Sequence, residues 1–152
     1  YGAQNRRRMV ETIKRGALYA SCIMVLGTVL FWVIPGPLLE IFDASEILLS
    51  VGIPALRIIS LSFCMAGACI ALGSSFQALG KSVYSMITSI VRQLVFLIPI
   101  AYVLARYGAS VGNSDLVWWS YPIAEVFSLT LTLCFFRHVY KTTIAPLPEG
   151  RE

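Results

Sequence analysis

Four long apolar stretches constrain this chain more than any other feature of its sequence. They cover residues 17–35, 52–77, 83–104 and 117–136. Each is close to the ~20 residues that a helix needs to cross the ~30 Å hydrocarbon core of a bilayer. None of them shows sustained alternation of apolar and polar residues, which argues against strands. The sequence therefore predicts an all-α membrane protein with four transmembrane helices.

The composition fits a chain whose solvent is a lipid bilayer. Hydrophobic residues make up 57% of the 152 residues and charged residues only 13%, whereas soluble proteins carry roughly 25% charged residues. A soluble domain of this size could not cover its surface with so few charges. The net charge of +4 is explained by membrane topology and contact with anionic lipid, and it gives no reason to expect a nucleic acid partner.

Lysine and arginine residues are distributed asymmetrically around the four stretches, and short loops rich in them stay in the cytoplasm. Nine of them lie before the first stretch, between the second and third, or after the fourth. Outside the stretches, only Arg106 falls on the opposite side. We therefore predict a multi-pass plasma membrane protein with both termini in the cytoplasm. In this arrangement residues 1–16 form a basic interfacial segment, and residues 137–152 form a cytoplasmic tail.

Sequence motifs for catalysis and metal binding are absent from the chain. It has no HExxH motif and no glycine-rich phosphate loop, and its one histidine, His138, follows the last span. The cysteines form no CxxC pair and no cluster at metal-ligand spacing, so we predict that they are small buried hydrophobic residues. They are Cys22, Cys64, Cys69 and Cys134. We predict no enzymatic activity, no catalytic residue, no cofactor and no metal site.

One arginine interrupts the third stretch, in the segment SIVRQLVFLIPIAYVL of residues 89–104. A charged side chain in a membrane is costly, so it usually faces the interior of a helix bundle and pairs with another polar group. Arg92 and Glu125 each share a helical face with small polar residues at steps of three and four. These faces consist of Ser82, Ser85, Ser89 and Arg92 in the third span, and of Tyr121, Glu125, Ser128 and Thr132 in the fourth.

Depth in the membrane suggests a partner for Arg92. At ~1.5 Å per residue, Arg92 lies about 15 Å from the inner boundary and Glu125 about 12 Å from the outer one, so their depths nearly coincide. Arg57 is a competing partner for Glu125, or its side chain extends to the outer interface. An Arg92–Glu125 pair either fixes the register of the helices or contacts a substrate or coupling ion.

The second stretch carries a face of small or polar residues and an internal proline. The face consists of Arg57, Ser60, Cys64, Gly67, Ala71, Ser74 and Ala78. Such a face is either a packing seam for another helix or the lining of a pathway. Pro54 and Pro99 lie in helix interiors, where each removes a main-chain hydrogen bond, and they predict kinks.

Several segments resemble the C-terminal part of multidrug and toxic compound extrusion (MATE) transporters. The opening YGAQN is similar to the glycine-containing loop that ends the second helix of each MATE half. PALRIISLSF resembles the family's arginine-bearing stretch near the start of the fourth helix of a half. FQALGKSVYSMITSIVRQ resembles the following loop and fifth helix, and VWWSYPIAEVFS resembles the last helix. The resemblance covers nearly the whole chain.

This resemblance implies twelve helices in two lobes, of which the four spans here correspond to the ninth through the twelfth. The expected partners are the N-terminal lobe and the first two helices of the C-terminal lobe, without which the chain is not expected to transport. The intact protein would export cationic or amphipathic organic compounds in exchange for Na⁺ or H⁺, by alternating access. Candidate cavity-facing residues are Arg92, Glu125, Arg57, Ser89, Ser85 and Ser128, and candidate hinges are Pro54 and Pro99.

Two other classes of protein stay open. A lipid-linked saccharide flippase of the same superfamily would have a more cationic cavity for its anionic substrates, and Arg92 and Arg57 support that alternative. Binding of a lipid substrate to the full-length protein would distinguish it from drug export. A non-transporting four-helix membrane interaction module is the second alternative, and a stable homodimer would favour it.

Overall fold

The computed structural model describes residues 6–148, and regular structure in this range is helical, without a strand. In this part of the chain, seven α-helices are joined by two π-helical segments and one 3₁₀ helix. They are α1 (Arg6–Val33), α2 (Pro35–Glu40), α3 (Glu46–Ser60), α4 (Phe63–Ala78), α5 (Ser82–Ile90), the first π-helical segment (Val91–Leu97), α6 (Ile98–Val111), the 3₁₀ helix (Ser114–Trp119), α7 (Ser120–Val139) and the second π-helical segment (Tyr140–Ile144). The predicted all-α architecture is confirmed.

Three helical stretches are long and apolar enough to cross a membrane: Arg6–Val33, Ser82–Val111 and Ser114–Ile144. The second apolar stretch of the sequence forms α3 and α4, which are bent by 54° where they meet. If this bent pair is one broken span, the described residues contain the four spans that the sequence predicts. The chain is therefore a multi-pass helical membrane protein.

The basic N-terminal segment belongs to α1 and packs against the ends of two other helices. A buried apolar cluster forms where α4 and α7 end, and the first turns of α1 cover it. The cluster consists of Phe76, Leu79, Val139 and Ile144, covered by Met9, Val10 and Ile13. Arg6 donates a 2.9 Å hydrogen bond to the Tyr140 hydroxyl. Over residues 6–16 the predicted interfacial segment is thus continuous with the first span. The YGAQN loop and residues 149–152 lie outside the described residues.

Side chains, rather than a proline, mark the bend between α3 and α4. Pro54 remains inside the continuous helix α3, and the kink predicted at this residue stays a prediction. The Ser60 hydroxyl and the Trp32 indole donate to the Arg57 carbonyl at 2.9 and 3.2 Å. Thr28 Oγ1 donates to the Ser60 carbonyl at 2.9 Å. These bonds satisfy main-chain carbonyls at the bend, which would be costly to leave unpaired in a bilayer.

Pro99 is accommodated by a widened helical turn. In the first π-helical segment, Val91–Leu97, the Ile98 N–H donates to the carbonyl five residues earlier. Proline has no N–H to continue α-helical bonding. The wider turns lie just before Pro99, and the helix continues through it, so that Ser82–Val111 is one candidate span. Single π-helical turns are rare overall, but those that occur are frequently at functional sites. A π-helical segment, of which Arg92 is the second residue, thus lies just before Pro99, and the kink predicted at Pro99 stays a prediction.

Helix α4 packs closely on α1. A Cβ atom added at Gly67 would lie 2.9 Å from Met24 Cγ and 3.2 Å from the Ala20 carbonyl oxygen. Only glycine allows this approach without a shift of the neighbouring helix. At Gly67 the small-residue face of the second span is therefore a packing seam.

On its other side, α4 contacts α5 and α7, which run antiparallel to each other. Two aromatic contacts, each with ring centroids 5.1 Å apart, fix their register. Tyr84 at the start of α5 meets Phe135 near the end of α7, and Phe96 stacks on Phe127 toward the start of α7. This register brings the middle of the third span beside the first half of α7.

Candidate functional site

An ion pair joins the third span to the fourth. Arg92 Nη1 lies 3.5 Å from Glu125 Oε2. The first π-helical segment carries the arginine and α7 carries the carboxylate, and the Phe96–Phe127 stack holds these two elements side by side. The structure thus brings together the two residues whose predicted depths nearly coincide.

The two partners differ sharply in exposure. The Arg92 side chain is 40% exposed, whereas the Glu125 side chain is 6% exposed. Cys69 of α4 lies next to the carboxylate, and Glu125 Oε1 is buried without a hydrogen-bond partner among residues 6–148. A buried acceptor without a donor costs about 1–3 kcal/mol. Chemically, such an oxygen is a site for a proton or another small cation.

A cleft of about 200 Å³ opens beside the guanidinium, between α4, α5 and α7. Most of the side chains that line it are polar, and within the described part of the chain Arg92 is the only charged one among them. The lining consists of Cys69, Ile70, Gly73, Ser74, Gln77, Ser85, Thr88, Ser89, Arg92, Ser128 and Thr132. The candidates Arg92, Ser85, Ser89 and Ser128 therefore share one surface, and Glu125 lies beside it.

Several lining groups are fixed by hydrogen bonds. Gln77 Nε2 donates to Ser85 Oγ at 3.2 Å, which links the end of α4 to α5. Thr88 and Ser89 both donate to the Ser85 carbonyl, at 2.9 and 3.0 Å, so their hydroxyl oxygens keep acceptor capacity. Gln77 and Thr88 are not among the residues that the helical spacing predicted for the site. The polar run GSSFQ at residues 73–77 was the available signal for Gln77.

A second cavity of about 390 Å³ adjoins the cleft. The two cavities share Gln77, Ser85 and Ser89, and the second adds Ser82, Val83 and Met86. We refer to the two adjoining cavities, which are lined on one side by residues from Ser82 to Arg92, as the slot. At ~1.5 Å per residue the slot is about 15 Å long.

Arg57 lies outside this site. Its side chain is exposed and does not line the cleft, and no ion pair to Glu125 is present among the described residues. The structural contribution of Arg57 comes from its main-chain carbonyl, which accepts the bonds from Ser60 and Trp32. Of the six candidate residues, Arg57 alone is separate from the others.

The cysteines and acidic residues form no metal site in the described part of the chain. No group of three or more histidine, cysteine or acidic side chains comes together among residues 6–148, and the four cysteines are free. The prediction that all four are buried is wrong. Cys22, Cys64 and Cys134 are exposed on the helix surfaces, and Cys69 is partly buried. The three exposed cysteines lie on helix faces that the other described helices do not cover.

The fold and the cleft define a multi-pass helical membrane protein with a charged, polar cleft between its spans. The chain belongs to the MatE family, whose model matches residues 1–103. The matched region runs from α1 into α6 and includes Arg92, while Glu125 follows it. Members of this family are transporters rather than enzymes, and multidrug efflux is their usual role. Comparison with curated proteins and with solved structures found no significant match.

Proposed function

We propose that this chain is part of a cation-coupled antiporter that exports cationic or amphipathic organic compounds across the plasma membrane by alternating access. Membership of the MatE family supports transport. The proposal of ion coupling depends on Glu125, the only carboxylate within the predicted spans. Its side chain is buried, and one of its oxygens has no hydrogen-bond partner among the described residues. Both termini face the cytoplasm in this proposal, as the distribution of basic residues predicts.

The role proposed for Glu125 follows from its contact with Arg92. When the carboxylate binds a proton or Na⁺, its attraction for the guanidinium falls, since the two charges interact at short range in a medium of low dielectric constant. Arg92 is then free to reorient toward the cleft. Ion binding therefore changes the charge that the cleft presents, which is a means of coupling an ion to an organic substrate.

The helix irregularities supply bending points for alternating access. The break between α3 and α4 and the π-helical segment before Pro99 lie in two neighbouring spans, and both are regions where main-chain bonding departs from the α-helix. We propose that the α3–α4 break is one hinge, rather than Pro54. The π-helical segment together with Pro99 is the other. The bend at α3–α4 is capped by side chains of α1, so any change in the bend involves α1.

We propose that apolar side chains exposed on α1 are a surface on which other parts of the transporter pack. Leu18, Ile23, Leu26 and Val33 are each at least 60% exposed. In the proposal this face contacts lipid, the N-terminal lobe or the two preceding helices of the same lobe. The chain by itself is not expected to transport.

The test uses the complete natural gene product in proteoliposomes. A fluorescent organic cation is loaded, an inward H⁺ or Na⁺ gradient is imposed separately, and ion-driven exchange is measured for the wild type, Glu125→Gln and Glu40→Gln. We expect Glu125→Gln to abolish exchange in the gradient that drives the wild type. Glu40→Gln, which changes an exposed carboxylate in the α2 turn, should behave as the wild type. Unchanged exchange in Glu125→Gln would refute the proposed role of this residue.

One observation favours the flippase as a second candidate. The only charged side chain lining the cleft, among the described residues, is positive, as a site for an anionic lipid-linked saccharide requires. Transfer of such a lipid between leaflets by the same proteoliposomes, without exchange of the organic cation, would replace the antiporter proposal. A protein inert in both assays would support the interaction module.

A further inference from the structure

The guanidinium of Arg92 has little to bind within the described part of the chain. Its one polar contact among residues 6–148 is the 3.5 Å ion pair with Glu125, which is too long for a strong hydrogen bond. A guanidinium carries five N–H donors in a planar fork, and donors without acceptors are costly in a membrane. Because 40% of the side chain is exposed, these donors are open toward the cleft.

The surroundings of the guanidinium suit a negatively charged group. No carboxylate lines the cleft among the described residues, and Glu125 lies to one side with 6% of its side chain exposed. Hydroxyl groups of Ser74, Ser85 and Ser128 lie on the remaining walls. Planar guanidinium groups recognise the oxygens of carboxylates and phosphates through two parallel hydrogen bonds.

The slot that continues from the cleft has exposed apolar side chains beside its polar ones. Val83 and Met86 line it beside the serines, and their side chains are 59% and 56% exposed. Ile70, 52% exposed, borders the cleft from α4. A molecule with an oxygen-rich head and an alkyl tail could therefore place the head at Arg92 and the tail along α5.

We propose that this cleft binds the anionic head group of an amphipathic molecule, with the Arg92 guanidinium as its main hydrogen-bond donor. The inference refines the ligand class at the site on which the proposed function rests, because it adds a negatively charged group to what the transporter recognises. The head group carries oxygen acceptors, as a phosphate or carboxylate does, and comes either from a membrane lipid or from a soluble amphiphile.

Charge balance links this binding to a proton. The Arg92–Glu125 pair is neutral as a unit, so a bound monoanion would leave one uncompensated negative charge in a medium of low dielectric constant. A proton on Glu125 removes that charge. The groups that face Glu125 across the helices are Arg92 and Cys69, and Ser128 and Thr132 lie on its own helix. Binding of a monoanion should therefore take up a proton and strengthen as the pH falls.

The experiment uses probes whose own charge does not change with pH. The complete gene product is placed in nanodiscs of phosphatidylcholine, and binding of hexane-1-sulfonate and of hexyltrimethylammonium is measured by calorimetry. We expect the sulfonate to bind more tightly than the ammonium probe, and its affinity to rise as the pH is lowered from about 7.5 to about 5.5. Weaker binding of the sulfonate than of the ammonium, or a sulfonate affinity independent of pH, would overturn the proposal.

Matched variants separate Arg92 from nonspecific attraction to positive charge. Arg92→Gln should lower sulfonate affinity about 10- to 100-fold, as expected for loss of a charged hydrogen-bond donor. Arg92→Lys should retain part of the affinity, because it keeps the charge but not the fork. Arg57→Gln removes an exposed arginine outside the cleft and should leave affinity unchanged. Equal losses in Arg92→Gln and Arg57→Gln would contradict the proposal.

Two further measurements identify the source of the head group and test the antiporter function separately from this inference. If phosphatidylglycerol added to the nanodiscs competes with the sulfonate, the head group comes from lipid; if it does not, a soluble amphiphile is the ligand. Exchange of the organic cation is measured on the same preparation. Ion-driven exchange without sulfonate binding would reject this inference alone, whereas sulfonate binding without exchange would reject the antiporter function alone.

Discussion

Two regions of this molecule place polar groups inside apolar spans, and they treat those groups in opposite ways. Where α1 meets the bend of the second span, Trp32 Nε1 donates to both the Arg57 carbonyl and Ser60 Oγ, at 3.2 and 3.1 Å, and Ser60 is completely buried. In the cleft, Glu125 has an oxygen without a partner among residues 6–148, and Arg92 has one contact at 3.5 Å. We call these the closed junction and the open cleft.

Polarity within a span therefore does not by itself mark a functional site. In the closed junction the side-chain donors bond to main-chain carbonyls or to one another, so the polar groups stabilise the bend and offer little to a ligand. In the open cleft the charged groups are only partly satisfied, which costs stability and leaves binding capacity. Such a cost is typical of sites that act on a ligand or an ion.

The largest expected effect comes from breaking the pair in the open cleft. Arg92→Met leaves the Glu125 charge buried and unpaired, and should lower the free energy of unfolding by about 3–5 kcal/mol. Glu125→Gln leaves an arginine that is 40% exposed and should cost less, about 1–3 kcal/mol. Denaturant unfolding in mixed micelles measures both values for the complete protein.

The double variant Arg92→Met plus Glu125→Gln is the control for this pair. If the residues interact directly, it should recover part of the loss, so that the double variant is more stable than the sum of the single losses implies. Strictly additive losses would contradict direct pairing. A larger loss for Glu125→Gln than for Arg92→Met would contradict the explanation from the exposure of Arg92.

The next prediction concerns the close packing of α4 on α1 at Gly67. Gly67→Leu forces a side chain against Met24 and the Ala20 carbonyl oxygen, where even a Cβ atom would be too close. We expect a loss of about 1–3 kcal/mol from overpacking. Gly16→Leu, also in a helix but with no atom within 4 Å of its added Cβ, should be neutral or slightly stabilising. Thermal unfolding of both variants in the same detergent decides this, and equal shifts would argue against the seam.

A smaller effect is expected at the closed junction itself. Trp32→Phe keeps an aromatic ring but removes the N–H that donates to the Arg57 carbonyl and to Ser60. Each bond is worth about 0.5–1.5 kcal/mol, and Ser60 Oγ still donates to the same carbonyl, so we expect a loss of about 1 kcal/mol. The affinity for hexane-1-sulfonate should not change. A variant with lower affinity would mean that the two regions are coupled.

The smallest effect sharpens the contrast between the two intramembrane arginines. Arg57→Met should change the free energy of unfolding by less than about 0.5 kcal/mol, since exposed side chains without buried contacts contribute little. The atom of Arg57 that accepts hydrogen bonds is its main-chain oxygen, which the substitution keeps. The same unfolding measurement is used as for Arg92→Met. A loss comparable to that of Arg92→Met would show that Arg57 is also paired in the complete protein.

The candidate site was predictable as far as helical spacing and depth extend. Arg92, Ser85 and Ser89 share a face because steps of three and four return to the same side of a helix. Gln77 was not predictable as a lining residue, because its contact with Ser85 depends on how the end of α4 meets α5. The π-helical segment was equally hidden, since proline signals the loss of a hydrogen bond but not how the neighbouring turns adjust.

The amino-acid sequence was enough to predict a helical membrane protein, the positions of its apolar stretches, and the presence of Arg92 and Glu125 within them at similar depth. These properties follow from composition, helical rise and period, which are local or depend on the bilayer alone. Tertiary contacts placed a 54° bend between α3 and α4, after Ser60, and made Glu125, not Arg92, the buried member of the pair. Both outcomes depend on which side chains of distant helices reach a given carbonyl or charge, and spacing along one helix does not specify that contact.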